Sequence, residues 1–349
     1  GESQVHIHPR EVAALVFYSL YAALAACLLT VGLLLAGAAG PLEALAGRIR
    51  RRPDLLVIGA VITMLLAMVV LIVGVFQGAP ITDDEPTYLF IARTLLEGRV
   101  INPLPGDEGF FQNMFLVFNP SGWYGKYPIG HPLLLAAGEA AGAVQAVTPL
   151  LSAGTLVLTW FVGARLLGRG AATLAVALLA LSPQFVMTGA TLLSQPTSTF
   201  VMMLGLLLTL RFEDTPTPAR AALAAGAWSF GVLVRPFPGV LFFAVALGFL
   251  LWTLFRGRVV TGARRIGVLV AAGLPALLVA GVFLAVNRLQ AGDVLTTGYH
   301  LPGTGLPIPA PRGALIGMAV VGNVLRQGIW LFGWPVSYLF VPFARGRRP

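Results

Sequence analysis

The sequence predicts an all-α polytopic membrane protein, a bundle of about nine spans. Three observations predict it. Of 349 residues, 57% are hydrophobic and only 11% are charged, whereas a soluble domain carries about 25% charged residues. Windows of about 20 apolar residues, the length that crosses a bilayer, recur along the chain. Arginines cluster between those windows, the positive-inside pattern, so the net charge of +9 does not point to nucleic acid. The single cysteine, Cys27, excludes an internal disulfide and reads as packing. We read one domain, 1–349, with ends at Gly1 and Arg347-Arg348-Pro349 that are those expected of a fragment lacking a C-terminal part.

The first span is Val12–Ala39. The loop with Arg48, Arg50, Arg51 and Arg52 is assigned to the cytoplasm. Leu55–Phe76 then runs outward and delivers Asp83-Asp84-Glu85 to the external side. The N-terminal tail is external too, and its His6-x-His8 offers too few ligands for a metal. After the acidic run, Glu85–Glu97 carries one apolar face (Leu89, Ala92, Leu95, Leu96) and reads as a helix lying on the membrane surface. A loop rich in Pro, Gly and aromatic residues follows, to about Pro132.

Leu133–Val147 decides the topology. It is apolar but short. If it spanned, Arg165, Arg169, Arg211, Arg220, Arg256, Arg258, Arg264, Arg265, Arg345, Arg347 and Arg348 would all face outside. The positive-inside rule therefore keeps it at the outer surface, within an external loop of about 77–148. The remaining spans are Pro149–Leu167, Ala171–Ala190, Thr197–Leu210, Ala221–Val234, Pro238–Phe255, Ile266–Val286 and, after a second external loop of about 287–327, Gly328–Ala344.

Seven of the fourteen acidic residues fall between Asp83 and Glu139, which places function there. Helix capping explains one carboxylate of Asp83, Asp84 and Glu85, since a carboxylate satisfies orphan amides and opposes the dipole. It does not explain three beside a bilayer, and all three are candidate catalytic residues. Lys126, the only lysine, sits among Trp123, Tyr124 and Tyr127. It is either a loop surface residue or a point charge for a phosphate. Arg235, in Leu233-Val234-Arg235-Pro236, either snorkels to the interface or contacts an anion in the same external cavity. Glu139, His131, Gln195, Arg288, Tyr299 and His300 are further candidates for lining that cavity, although packing or a solvated surface explains each as well.

These residues carry a family resemblance. Asp84-Glu85-x-x-Tyr88 heads an interfacial helix after an early span. Gly125-Lys126-Tyr127-Pro128-Ile129-Gly130-His131-Pro132 is similar to a Lys-Pro segment before a second juxtamembrane helix. Leu181-Ser182-Pro183 is followed by Leu193-Ser194-Gln195-Pro196 at the next external turn. Over about Leu55–Phe255 the chain resembles the GT-C-type glycosyltransferases that use polyprenyl-phosphate donors, nearest the aminoarabinose transferases and protein O-mannosyltransferases of glycosyltransferase family 39.

The resemblance implies a GT-C-type helical bundle with external interfacial helices in a bacterial cytoplasmic membrane, its active site facing outside. It implies Asp84 as catalytic base, with Asp83 and Glu85 beside it. Lys126, Arg235, Tyr88, His131 and Gln195 would bind substrate or phosphate. The implied partners are a polyprenyl-phosphate sugar donor, a lipid, glycan or protein acceptor, and the bilayer. Gly125 and Gln195 stand where the aminoarabinose transferases have carboxylates, so no metal site is assigned, no cofactor is required and a divalent cation is unsupported. A transporter or flippase of lipid-linked sugars is the alternative, although such proteins need charge or broken helices near the midplane. An inactive structural homologue is the third reading.

Overall fold

In the computed structural model, residues 52–111, 113–256 and 262–299 are described. The expected spans Val12–Ala39 and Gly328–Ala344, His6, His8, Cys27, His300 and most of the second external loop lie outside them.

The described chain is mostly helical, with one two-stranded hairpin. Helix α1 (Pro53–Val69) continues into a π-helical turn, Val70–Val75. Gln77 and Gly78 then take φ of 53° and 70° and turn the chain out of the span. Helix α2 (Asp84–Leu96) opens with two acids, ends with Arg93 in its last turn, and is followed by Gly98 at φ 72°. Both ends therefore oppose the helix dipole, and the glycine supplies the left-handed exit.

A one-turn helix α3 (Glu108–Phe111) and a hairpin of β1 (Leu116–Asn119) and β2 (Gly122–Gly125) follow. The strands pair antiparallel with Asn119 opposite Gly122. The sequence alone predicts a loop here. At Gly122, φ is 139° and an added Cβ would lie 2.1 Å from the Asn102 carbonyl oxygen. Only glycine lets the two backbone hydrogen bonds between Asn102 and Trp123 form, each 2.9 Å.

Helix α4 (Gly130–Ala140) has 11 residues. At 1.5 Å per residue that is about 16 Å, half of a hydrocarbon core of about 30 Å. It packs on α2, where Arg93 and Glu139 pair at 2.9 Å. The segment that decides the topology is thus too short to cross.

Helices α5 (Val147–Leu167), α6 (Arg169–Ala180), α7 (Pro183–Gly189), α8 (Ser194–Asp214), α9 (Pro218–Val234), α10 (Pro236–Arg256) and α11 (Gly262–Ala291) complete the bundle. Every span expected between residues 52 and 299 coincides with helix. Among the described residues four helices, α1 with its π-helical turn, α5, α10 and α11, are long and apolar enough to cross a membrane, or five if the bent pair α6–α7 is one span. Of the seven spans expected among the described residues, three do not meet that test as single helices. The expected span Ala171–Ala190 is broken by 63° between α6 and α7, where Pro183 starts a new helix and Ser182 caps it by accepting from the Phe185 amide at 3.4 Å. Helix α8 opens on Ser194-Gln195-Pro196-Thr197-Ser198-Thr199 and is too polar to count. Helix α9, at 17 residues, is short.

Alternation of α5 to α11 gathers arginines at one end. There Arg165 pairs with Glu213 and Asp214, and Arg220 and Arg264 donate to the carbonyls of Arg211 and Pro216. The opposite end receives α2, the hairpin and α4. Its core is Tyr88, Ile91, Ala92, Tyr127, Ile129, Leu135, Ala136 and Leu192. Each large side chain there contributes about 1.5–3 kcal/mol relative to exposure, and together they fix α2 against α4 and the α7–α8 turn.

Candidate active site

The first two turns of α2 separate the three acids. Asp83 is exposed. Asp84, half-buried, accepts a hydrogen bond from the Tyr127 phenol on Oδ1. Glu85 is 3% exposed. Its Oε1 accepts from the amides of Ile81 and Thr82 at 3.0 Å and from Thr82 Oγ1 at 3.1 Å, and its Oε2 accepts from the Leu192 amide at 2.8 Å. Glu85 is thus a clasp between the start of α2 and the α7–α8 turn. Grouping it with the catalytic candidates does not fit this geometry, because every partner is a protein donor. Nor does the side chain of Asp83 cap α2.

Tyr88 lies one turn after Asp84. Its hydroxyl shares a 3.0 Å hydrogen bond with Ser194, and its ring stacks on Tyr127 at 4.6 Å and meets His131 edge-on at 4.8 Å. Burial is the main cause that raises its pKa. His131 is fully buried. Its Nε2–H donates to the Leu192 carbonyl and its Nδ1 accepts from Thr197 Oγ1, both at 2.8 Å. A carbonyl only accepts, which fixes the tautomer. The expectation that His131 binds phosphate fails here, since both ring nitrogens serve the fold.

Burial pushes the His131 pKa from 6.5 down to about 4. The folded state therefore binds fewer protons than the unfolded state between those values, and stability falls as pH drops through that window. At about 1.4 kcal/mol per unit the loss approaches 3 kcal/mol near pH 4. Thermal unfolding across this range is expected to show the decline, and His131→Asn is expected to flatten it relative to the wild type.

The hairpin delivers Lys126, whose amide donates to the Phe115 carbonyl at 2.9 Å. Its Nζ sits 4.3 Å from the Phe115 ring centroid, 5.5 Å from Tyr127 and 5.8 Å from Tyr299. Burial lowers its pKa, and the Asp84 charge partly restores it. Gly125 before it is wedged: a Cβ would lie 2.6 Å from the Ile91 side chain and 2.9 Å from Thr87. A longer side chain here would force α2 away, a physical reason for glycine at this departure.

Arg235 arrives from α9. The residue before a proline is driven to extended backbone, and Arg235 takes φ −145°, ψ 99° ahead of Pro236. The break between α9 and α10 thereby presents its half-buried side chain to the site. Close backbone approaches support it: a Cβ on Gly130 would lie 2.6 Å from the Leu233 carbonyl carbon, and one on Gly239 would lie 2.6 Å from the Gly231 carbonyl oxygen. The Arg235 charge acts on Tyr88 and Tyr299, as does that of Asp84. Among the described residues no carboxylate pairs with it.

Gln195 heads α8, with its Oε1 buried and without a hydrogen-bond partner among the described residues. Arg288 instead donates to the Gly292 carbonyl, and Glu139 is held by Arg93. Among the described residues no group of three or more His, Cys, Asp or Glu is placed to hold a metal ion.

In the sequence Tyr127 stands only as a neighbour of Lys126 and a member of the Lys-Pro segment. The aromatic run Trp123-Tyr124-x-x-Tyr127 was visible, but which hydroxyl meets the acid depends on the hairpin. The arrangement offers one oriented carboxylate and two cations from separate segments, above a bundle of apolar helices.

No curated protein and no solved structure matches the chain. Residues 132–285, from α4 through most of α11, match the family model described as dolichyl-phosphate-mannose-protein mannosyltransferase. That stretch includes Gln195 and Arg235 and begins after Asp84 and Lys126. On this match and the helical membrane fold, the chain is similar to the dolichyl-phosphate-mannose-protein mannosyltransferase family, which supports a GT-C-type membrane glycosyltransferase.

Proposed function

We propose that the protein is an inverting glycosyltransferase that moves a sugar from a polyprenyl-phosphate donor to an acceptor hydroxyl, on the external face of a bacterial cytoplasmic membrane. The observation that carries the reading is that the charges of Asp84 and Arg235 both act on Tyr88 and Tyr299, and that of Asp84 on Lys126, at the end of the bundle opposite the arginine-rich end. The acceptor oxygen attacks the anomeric carbon and its proton passes to Asp84. The bond from that carbon to the phosphate oxygen breaks, and the polyprenyl phosphate leaves with the electron pair. Charge grows on the phosphate as the bond breaks. Cations already in place stabilise that state more than the ground state. Arg235, with its planar fork of donors, and Lys126, as a point charge, supply them. An apolar bundle suits a donor whose tail stays in lipid.

The test uses membranes containing the full chain, a labelled polyprenyl-phosphate sugar and candidate acceptor extracts. Wild type is expected to transfer label, and Arg235→Ala and Lys126→Ala each to lower kcat/KM for the donor by about 10- to 100-fold, the scale of one charge-assisted contact of 1.5–3 kcal/mol. Transfer from a nucleotide sugar but never from the lipid donor would overturn the proposal.

A further inference from the structure

Tyr127 performs a task that ring packing does not require. It is 8% exposed. Its ring lies between Tyr88, at 4.6 Å and 27°, and Phe115, at 5.8 Å and 30°, with Tyr299 against it at 5.9 Å. The backbone on its N-terminal side is held too. The Lys126 amide donates to Phe115 O at 2.9 Å, and Gly298 presses so closely that a Cβ would lie 2.5 Å from Lys126 Cα. Tyr88 in turn is fixed by Ser194. A ring clamped in this way aims its hydroxyl along one line, and that line ends on Asp84 Oδ1.

The phenol also stays a donor. Burial first, and then the hydrogen bond to Asp84, raise its pKa well above that of an ordinary tyrosine. A carboxylate held on Oδ1 by a permanent donor cannot rotate freely, which leaves Oδ2 to meet other groups. No hydrogen bond to Oδ2 is made among the described residues.

We infer that Tyr127 is a positioning residue: it clamps Asp84 through Oδ1 so that Oδ2 faces the acceptor hydroxyl and takes its proton. The inference rests on the reading of Asp84 as the base. It explains why a tyrosine stands in a pocket that phenylalanine would fill equally well. The clamp acts on alignment and hence on turnover, because misplacing a reacting group by about 1 Å costs on the order of 100-fold.

The experiment compares wild type, Tyr127→Phe and Asp84→Asn in full-length chain reconstituted in membranes with the labelled lipid donor. Phenylalanine keeps the ring and removes only the hydroxyl. Tyr127→Phe is expected to lower kcat by about 10- to 100-fold, to leave the donor KM within about threefold, and to keep the thermal midpoint of the wild type. Wild-type kcat in Tyr127→Phe, with Asp84→Asn inactive, would overturn the clamp and leave the function reading intact. A fall in midpoint that accounts for the lost activity would make Tyr127 structural and also overturn it. Full activity in Asp84→Asn would remove the base itself, a separate failure.

Discussion

Asp84→Asn is expected to lower sugar transfer by about 1,000-fold, within the 10²–10⁴ range that a positioned general base contributes. The substitution is nearly isosteric. Its amide oxygen still accepts from the Tyr127 phenol, so the contact between α2 and the hairpin survives. What is lost is the capacity to take a proton. Asparagine cannot hold the acceptor hydroxyl's proton as the new glycosidic bond forms. The defect should therefore appear in kcat, with donor KM and thermal midpoint close to wild type, since the donor phosphate is left to Lys126 and Arg235. The neighbouring change Asp83→Asn is the internal comparison: that side chain is exposed, and its loss is expected to change kcat less than about threefold, as for surface substitutions away from a site. Equal activity of Asp84→Asn and wild type in the labelled-donor assay would remove the base from the mechanism. A large drop in midpoint would make the residue structural.

The sequence carried the helices because apolar length is a property of composition. Leu55–Phe76, Pro238–Phe255 and Ile266–Val286 were each visible as runs, and each lies on a helix that reaches a few residues further at one end or both. The short segment before α5 was legible as a short element, and its helix has 11 residues. Elements governed by a single turn were not legible. The bend between α6 and α7 hid because hydropathy runs on through Leu181-Ser182-Pro183, although the Ser-Pro pair is a helix-start signal. The hairpin hid because strands of four residues carry little periodicity, although aromatic and β-branched residues flank Pro120-Ser121-Gly122.

The site was legible as a neighbourhood rather than as roles. Residue type and position do not separate Asp84 from Glu85; only the resemblance singles out Asp84. Successive residues on a helix point about 100° apart, so one faces the hairpin and the other the α7–α8 turn. His131 is a ligand only by the resemblance, and packing explains it as well. Nothing local revealed that Thr197, 66 positions later, would close over it.

That 100° separation yields the second large effect, in the opposite observable. Glu85→Gln is expected to destabilise the protein by about 2–4 kcal/mol, the scale of leaving one or two buried donors unsatisfied. All four hydrogen bonds to this carboxylate come from donors: two amides and a hydroxyl on Oε1, and the Leu192 amide on Oε2. A glutamine carries an NH2 in place of one oxygen. Turned one way it faces the Leu192 N–H; turned the other it faces the amides of Ile81 and Thr82. Neither rotamer avoids donor meeting donor in a site where the side chain is 3% exposed. The start of α2 should then loosen from the α7–α8 turn, raising proteolysis near residues 77–86 and lowering the thermal midpoint, with activity at low temperature reduced only in proportion to the folded fraction. Asp84→Asn gives the reverse pattern, folded and inactive. Were Glu85→Gln to keep the wild-type midpoint while losing turnover, the clasp and the base would have to exchange places, and the chemistry would belong to the buried carboxylate.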